Sequence, residues 1–161
     1  MSLLYNIMLG VLMKIQGLLQ KVELFRGLTE EELTQIANIC KEERFQEGEV
    51  FAKEGEMGDT FCVIKDGLMK VEINQMPDLQ PHVIVHLGTG QLIGEMSLVD
   101  RGVRSATVRA IQTPTDILVI HHDEFHDLCE KNNRIGYVVM RNMAADLSFK
   151  LRHRSLSEQG R

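Results

Sequence analysis

One stretch of the chain concentrates groups suited to holding an anion: Gly94-Glu95-Met96-Ser97-Leu98-Val99-Asp100-Arg101-Gly102-Val103-Arg104-Ser105-Ala106-Thr107-Val108. Gly94 permits close backbone approach. A short helical turn opening at Glu95 would offer unpaired N–H groups and the positive end of a dipole. Arg104 enters from the far side of the loop with a planar donor fork that suits two phosphate oxygens. Glu95 can accept hydrogen bonds from a sugar hydroxyl, and the small Ser105 and Ala106 leave room for a ligand. Ser105 either donates to the phosphate or merely fills a small-residue slot. The plain alternative is a surface ion pair between Glu95 and Arg104 in a domain that holds no ligand.

Other chemistry is sparse. His82 and His86, four apart on a strand, would share a face. With Glu95 they raise a metal site, but a tight His-x-His pair and a third suitably placed histidine are missing, so no metal is expected. Three cysteines (Cys40, Cys62 and Cys129) are odd in number, widely spaced and without a CxxC motif, as reduced, buried thiols of a cytoplasmic protein would be. No nucleophile–base pair stands out, so neither an enzyme nor a cofactor is expected. The formal charge of −5, with no long basic run before residue 150, argues against nucleic-acid binding by this segment.

The elements that must position the Gly94–Val108 stretch change character along the chain. Apolar residues at Met1, Leu4, Met8, Val11, Ile15, Leu18, Val22 and Phe25 alternate by threes and fours and form a helical seam. Asn6, Lys14, Gln16 and Gln20 interrupt the apolar run, and no basic leader or cleavage site is present, which speaks against a membrane span or signal peptide. The seam serves either dimerisation or packing on the chain's own domain. Thr29 and Glu32 are spaced as a capping box for a helix running to about Cys40. From Phe45 onward the period is two, with apolar runs at 50–53, 61–65, 68–74, 82–87, 105–111 and 116–121, separated by glycine-containing turns. Asp66-Gly67 reads as a hairpin turn. Asp123 can cap a helix to about Lys131, Asn132-Asn133 breaks it, and a last helix runs from Ile135 to about His153. Its stripe is Val139, Met143, Leu147 and Leu151. Only the tail after Arg154 reads as unstructured.

The cradle resembles the phosphate-binding cassette of cyclic-nucleotide-binding domains, whose pattern is roughly F-G-E-(L/M)-(A/S)-L, a short loop, then P-R-(A/S)-A-T-V. Here the residues are Ile93-Gly94-Glu95-Met96-Ser97-Leu98 and Val103-Arg104-Ser105-Ala106-Thr107-Val108. Ile93 replaces the aromatic residue and Val103 the proline. Leu24-Phe25-Arg26-Gly27-Leu28-Thr29 resembles the family's helical entry motif, and the likeness spans about residues 24–155.

The resemblance implies a mainly β fold with flanking helices: an eight-stranded, jelly-roll-like β-barrel with N-terminal helices and two C-terminal helices. Residues 1–23 would be an N-terminal amphipathic helix, and 24–161 the binding domain with its C-terminal lid helix. It further implies a regulatory or sensor module whose ligand is cAMP or cGMP. Arg104 would bind the cyclic phosphate and Glu95 the ribose 2′-hydroxyl. Backbone groups around Gly94, Met96, Ser97 and Ala106 would line the phosphate, and Val71 and Val85 would flank the base. In some related channels an acidic lid residue favours guanine, which marks Asp146 as a lid contact, against the plainer pairing of Asp146 with Lys150 at i+4. The alternatives are a non-binding interaction domain that dimerises through the N-terminal helix, and the sensor half of a catabolite-activator-like regulator. The latter needs a helix-turn-helix after the lid helix, where few residues remain. The output partner is not named by the sequence.

Overall fold

A computed structural model describes residues 2–75 and 77–159, with side chains described as far as His153. The residues fall into two compact units, one formed by 38–125 and the other by the two ends of the chain, 2–37 and 126–159.

The central unit is made of eight strands: β1 (Lys41–Phe45), β2 (Val50–Ala52), β3 (Thr60–Asp66), β4 (Met69–Gln75), β5 (Gln80–Leu87), β6 (Leu92–Ile93), β7 (Thr107–Ala110) and β8 (Thr115–His121). They pair antiparallel in two four-stranded sheets, ordered β1-β8-β3-β6 and β2-β7-β4-β5. Alternate residues of both sheets close one apolar core. Cys62, Ile64, Ile93, Ile117 and Val119 of the first sheet meet Ala52, Met69, Val108 and Ala110 of the second. The fold is therefore mainly β with flanking helices. Among the described residues the hydrogen-bonded ladders end at β1 and β6 in one sheet and at β2 and β5 in the other, so the eight strands do not join in a single closed ring.

Two local expectations are corrected. Asp66-Gly67 does turn the chain tightly, with Gly67 at φ +109°, but β3 and β4 belong to different sheets. The glycine is required by proximity as well as by φ, because a Cβ there would lie 2.8 Å from Thr115 Cα. The hairpin is instead β4–β5. Along it, Val71 opposes Val85 and Glu72 opposes Val83, so Ile84 is an extra residue, a β-bulge. That bulge separates the two histidines. His82 opposes Ile73 and His86 opposes Lys70, three residues apart on β4, so they point to opposite faces.

The helical unit holds α1 (Leu3–Leu19), a 3₁₀ turn (Glu23–Phe25), all but the last two residues of α2 (Glu30–Ile39) and the long α5 (Asn133–Gln159). The capping box forms as spaced: Glu32 N–H donates to Thr29 Oγ1 at 3.2 Å, and Thr29 N–H to Glu32 Oε2 at 2.8 Å. Glu32 also pairs with Arg134. Arg134 and Asn142 of α5 donate to the carbonyls of Gly27, Leu24 and Arg26, tying the entry motif to α5. The N-terminal seam divides. Ile15, Val22 and Phe25 are buried and Leu18 is partly buried, whereas Leu4, Met8 and Val11 are exposed, and Met1 lies outside the described residues; Leu19, beside the seam, is buried as well. The last helix begins at Asn133 and runs past Arg154 to Gln159, longer than the apolar stripe indicates. Between β6 and β7 lies the four-residue α3 (Ser97–Asp100). After β8 comes α4 (His122–Lys131), with Asp123 in its first turn rather than at its cap.

Candidate phosphate-binding site

The short β6 pairs with β3 through Cys62↔Ile93, and this delivers Gly94 directly beside Thr60. Gly94 has φ +80°, and a Cβ there would sit 3.1 Å from Thr60 O and 2.3 Å from Arg104 Nη1. Only glycine serves at this position, on both grounds. α3 opens next, with Leu98 N–H bonded to Glu95 O at 3.0 Å and Val99 N–H to Met96 O at 3.1 Å. It is closed by Arg101 in the left-handed region.

Arg104 arrives from the opposite side. Its backbone is zipped to the turn after β2: Gly55 N–H donates to Arg104 O at 2.8 Å and Arg104 N–H to Glu56 O at 2.7 Å. Met57 and Val103 form an isolated bridge just beside them. The side chain then crosses Gly58, where an added Cβ would be 2.7 Å from Nε. Nη2 donates to Thr60 O at 2.6 Å and Thr60 Oγ1 at 3.1 Å, and Phe51 lies under the guanidinium, 5.7 Å from ring centroid to Cζ. Nη1 is buried and has no hydrogen-bond partner among the described residues. Burial pulls the guanidinium's pKa below its ordinary value, an effect that nearby Cys62 and Asp59 oppose.

Glu95 and Ala106 are partly buried, and Met96 and Ser105 are exposed. Glu95 and Arg104 do not form an ion pair with each other, nor does either pair with another residue among those described. The structure thus brings Gly94, Glu95, Met96, Ser97, Arg104, Ser105 and Ala106 into one loop–helix–strand segment. Val71 and Val85 stand opposite each other on β4 and β5, Val71 against the shared core and Val85 exposed. Asp146 belongs to the helical unit, where its carboxylate lies 2.6 Å from Lys150 Nζ. Among the described residues no cluster of three His, Cys, Asp or Glu side chains is placed to hold a metal ion.

Thr60 and His122 escape a reading of the sequence alone. Thr60 completes the seat of Arg104, and His122 Nε2 lies 3.0 Å from Ser97 Oγ. Both are far from the cassette in sequence, and nothing in their local pattern marks them.

A sequence profile of the family described as "Cyclic nucleotide-binding domain" matches residues 42–132. The chain belongs to that family. The cyclic nucleotide-binding domain is similar to human cGMP-dependent protein kinase 2, with 32% identity over 111 residues, covering 69% of this chain but 15% of the kinase. Among solved structures it is similar to the Thermus thermophilus catabolite activator protein, at TM-score 0.74 and 27% identity over 85% of this chain and 62% of that one. It is also similar to a cyclic nucleotide-binding domain from Methylobacillus flagellatus KT, at TM-score 0.74 and 26% identity over 88% of this chain and 79% of that one. No helix among the described residues is long and apolar enough to cross a membrane.

Proposed function

We propose that this domain is a receptor for cAMP or cGMP that binds the nucleotide without transforming it. The observation that carries the reading is Arg104 Nη1: a buried donor of a cation, set against the bare backbone of Gly94 and left without a partner among the described residues. A buried donor with no acceptor is costly, on the order of 1–3 kcal/mol, unless something supplies one. A ring phosphate supplies it, sitting between Nη1 and the backbone of Gly94, Met96, Ser97 and Ala106. Glu95, which pairs with no cation among the described residues, would then accept from the ribose 2′-hydroxyl, and the exposed Ser105 would adjoin the phosphate. Val71 and Val85 would flank the base within the jelly-roll-like enclosure of the two sheets, with α5 as the lid of a binding domain spanning 24–161. The engagement of Asp146 with Lys150 favours a lid that does not read the base through that carboxylate.

Isothermal titration of ligand-stripped protein with cAMP, cGMP and 5′-AMP tests the reading. Micromolar or tighter binding of a cyclic nucleotide, about −8 kcal/mol, is expected. The noncyclic 5′-AMP should bind far worse, because it carries an extra charge and a different shape. Absence of heat with both cyclic nucleotides at millimolar concentration would overturn the assignment.

A second reading concerns α1. Leu4, Met8 and Val11 stay 72%, 71% and 44% exposed, and Leu3 and Ile7 are exposed with them. A patch of this kind on a soluble domain marks an interaction face, and a second copy of α1 would cover it along the seam. Replacing Leu4, Met8 and Val11 with Gln and measuring mass by light scattering tests it: a dimer should become a monomer, and a wild-type monomer would refute the pairing.

A further inference from the structure

Behind the turn that opens the cradle lies a buried polar relay. Ser97 Oγ donates to Gly94 O at 2.6 Å, and His122 Nε2 lies 3.0 Å from the same hydroxyl. Both side chains are deeply buried, at 7% and 6% exposure. A hydroxyl carries one proton. With that proton committed to Gly94 O, the imidazole must be the donor, from Nε2–H.

His122 is in turn fixed from two sides. Its amide donates to Asp59 O at 2.8 Å, and its ring stacks on Phe61 with 24° between the planes. The relay therefore runs from an anchored ring on α4, through Ser97, to the carbonyl of Gly94. That glycine's backbone lies against Arg104 Nη1.

We infer that His122 is a positioning residue of the ligand site: through Ser97 it fixes the Gly94 carbonyl, and so the turn whose amides and Arg104 Nη1 must converge on one anion. The inference rests on the cyclic-nucleotide reading of the site. Ser97 makes the argument particular to this chain. The cassette pattern accepts alanine or serine there, so the hydroxyl is not needed to build the turn. Here it is buried and used twice. Without it, the carbonyl of Gly94 keeps only the long bond from Ser97 N–H, at 3.3 Å. His122 would lose its acceptor in a buried site. A turn freed in this way meets the anion less well, since a preorganised site binds without first having to order itself.

The test is titration of the full chain with cAMP and with cGMP in five forms: wild type, S97A, H122L, H122Q and S97A/H122L. Thermal melting of each form is recorded alongside. Loss of one buried hydrogen bond predicts about tenfold weaker binding in S97A and in H122L. Gln places an amide nitrogen near the position of imidazole Nε2, so H122Q should recover affinity to within about threefold of wild type, and a purely space-filling role for the ring would show no such rescue. The double variant should bind about as weakly as H122L alone, since each change breaks the same relay. If H122L does not fold, S97A and H122Q carry the test. A wild type that binds neither nucleotide overturns the ligand reading, and this inference with it. A wild type that binds, with S97A unchanged or H122Q no stronger than S97A, overturns this inference alone.

Discussion

The β unit holds two partly or wholly buried charges in opposite ways. Glu72, 5% exposed, is met on both oxygens: Lys70 Nζ is 2.9 Å from Oε2 and Arg109 Nε is 3.1 Å from Oε1. Arg109 has a further acceptor in Gly48 O at 2.7 Å. Lys70 first, then Arg109, hold the Glu72 carboxyl below its usual pKa despite its burial. Arg104 is also drawn out of water, yet among the described residues it finds only the oxygens of Thr60 for Nη2 and none for Nη1. A charge whose partners are all in the chain belongs to the scaffold. A charge left one acceptor short is what the proposed ligand site requires. The two arrangements differ in the count of donors against acceptors, and on the proposed function the shortfall at Arg104 is the one a ligand fills.

The sharpest way to break the comparison is to remove Arg104. R104A should weaken cyclic-nucleotide binding by about 10- to 100-fold, the value of a charge-assisted contact, while the melting temperature holds or rises because an unsatisfied buried donor disappears. R104K should also lose affinity, since a point charge cannot reproduce the fork. Titration and melting together decide it, and wild-type affinity in both variants would remove Arg104 from the site. E72Q should behave in the reverse way. It leaves Lys70 and Arg109 facing a neutral amide and should cost about 1–3 kcal/mol of stability in denaturant melts. Its affinity for ligand should stay within about threefold of wild type.

Acidification offers a smaller effect, first on the imidazole behind the cradle and then on Glu72. Burial first, then the charge of Arg104, keeps the imidazole of His122 below its ordinary pKa; Arg101 adds to this, while Asp59 and Asp123 oppose it. For a group depressed in the folded state, the unfolded chain takes up the proton first. Stability due to neutral His122 is therefore complete above about pH 6.5 and is lost as pH falls through the lower folded-state value. Glu72 follows the same sign, its contribution being lost only as pH falls through the usual carboxylate range and below it. Thermal melts between pH 7.5 and 5.5 should fall further for wild type than for H122Q, and equal slopes would show that His122 does not titrate there. Least of all should change with D146A: the cAMP/cGMP affinity ratio is expected to stay constant, because the carboxylate is occupied by Lys150. A selective loss of cGMP binding would place Asp146 on the base instead.

What the sequence discloses about these regions follows the range of the interactions involved. The cassette is contiguous, so its glycine, acid, serine and arginine can be recognised by order alone, and the capping box of Thr29 and Glu32 by a spacing of three. β1 is hidden because Lys41-Glu42-Glu43-Arg44-Phe45 is an exposed edge strand with no apolar alternation, held by its register with β8. Asp66-Gly67 looks the same whether the flanking strands pair with each other or part for separate sheets. That choice is made by β8 and β7, dozens of residues away. The face of His86 relative to His82 depends on the bulge at Ile84, which only the pairing with β4 creates. His122 lies 25 positions beyond Ser97, and no local periodicity links them.

Gly58 gives the domain an unusual handle for experiment. Its backbone is not in the left-handed region that favours glycine, and the atoms nearest to a new methyl would be Nε, Cζ and Cδ of Arg104, at 2.7–3.0 Å. Those atoms belong to the flexible end of a side chain, which can swing aside at little expense to folding. Such a methyl would act as a wedge, moving the cation from its seat while charge, fold and every polar group of the cradle are retained. A receptor silenced by displacement rather than by neutralisation is the control that cellular experiments on such modules need, because its surface electrostatics remain those of the native chain. The wedge is also graded, since serine is larger than alanine and valine larger again, so sensitivity to ligand could be tuned in steps from one position.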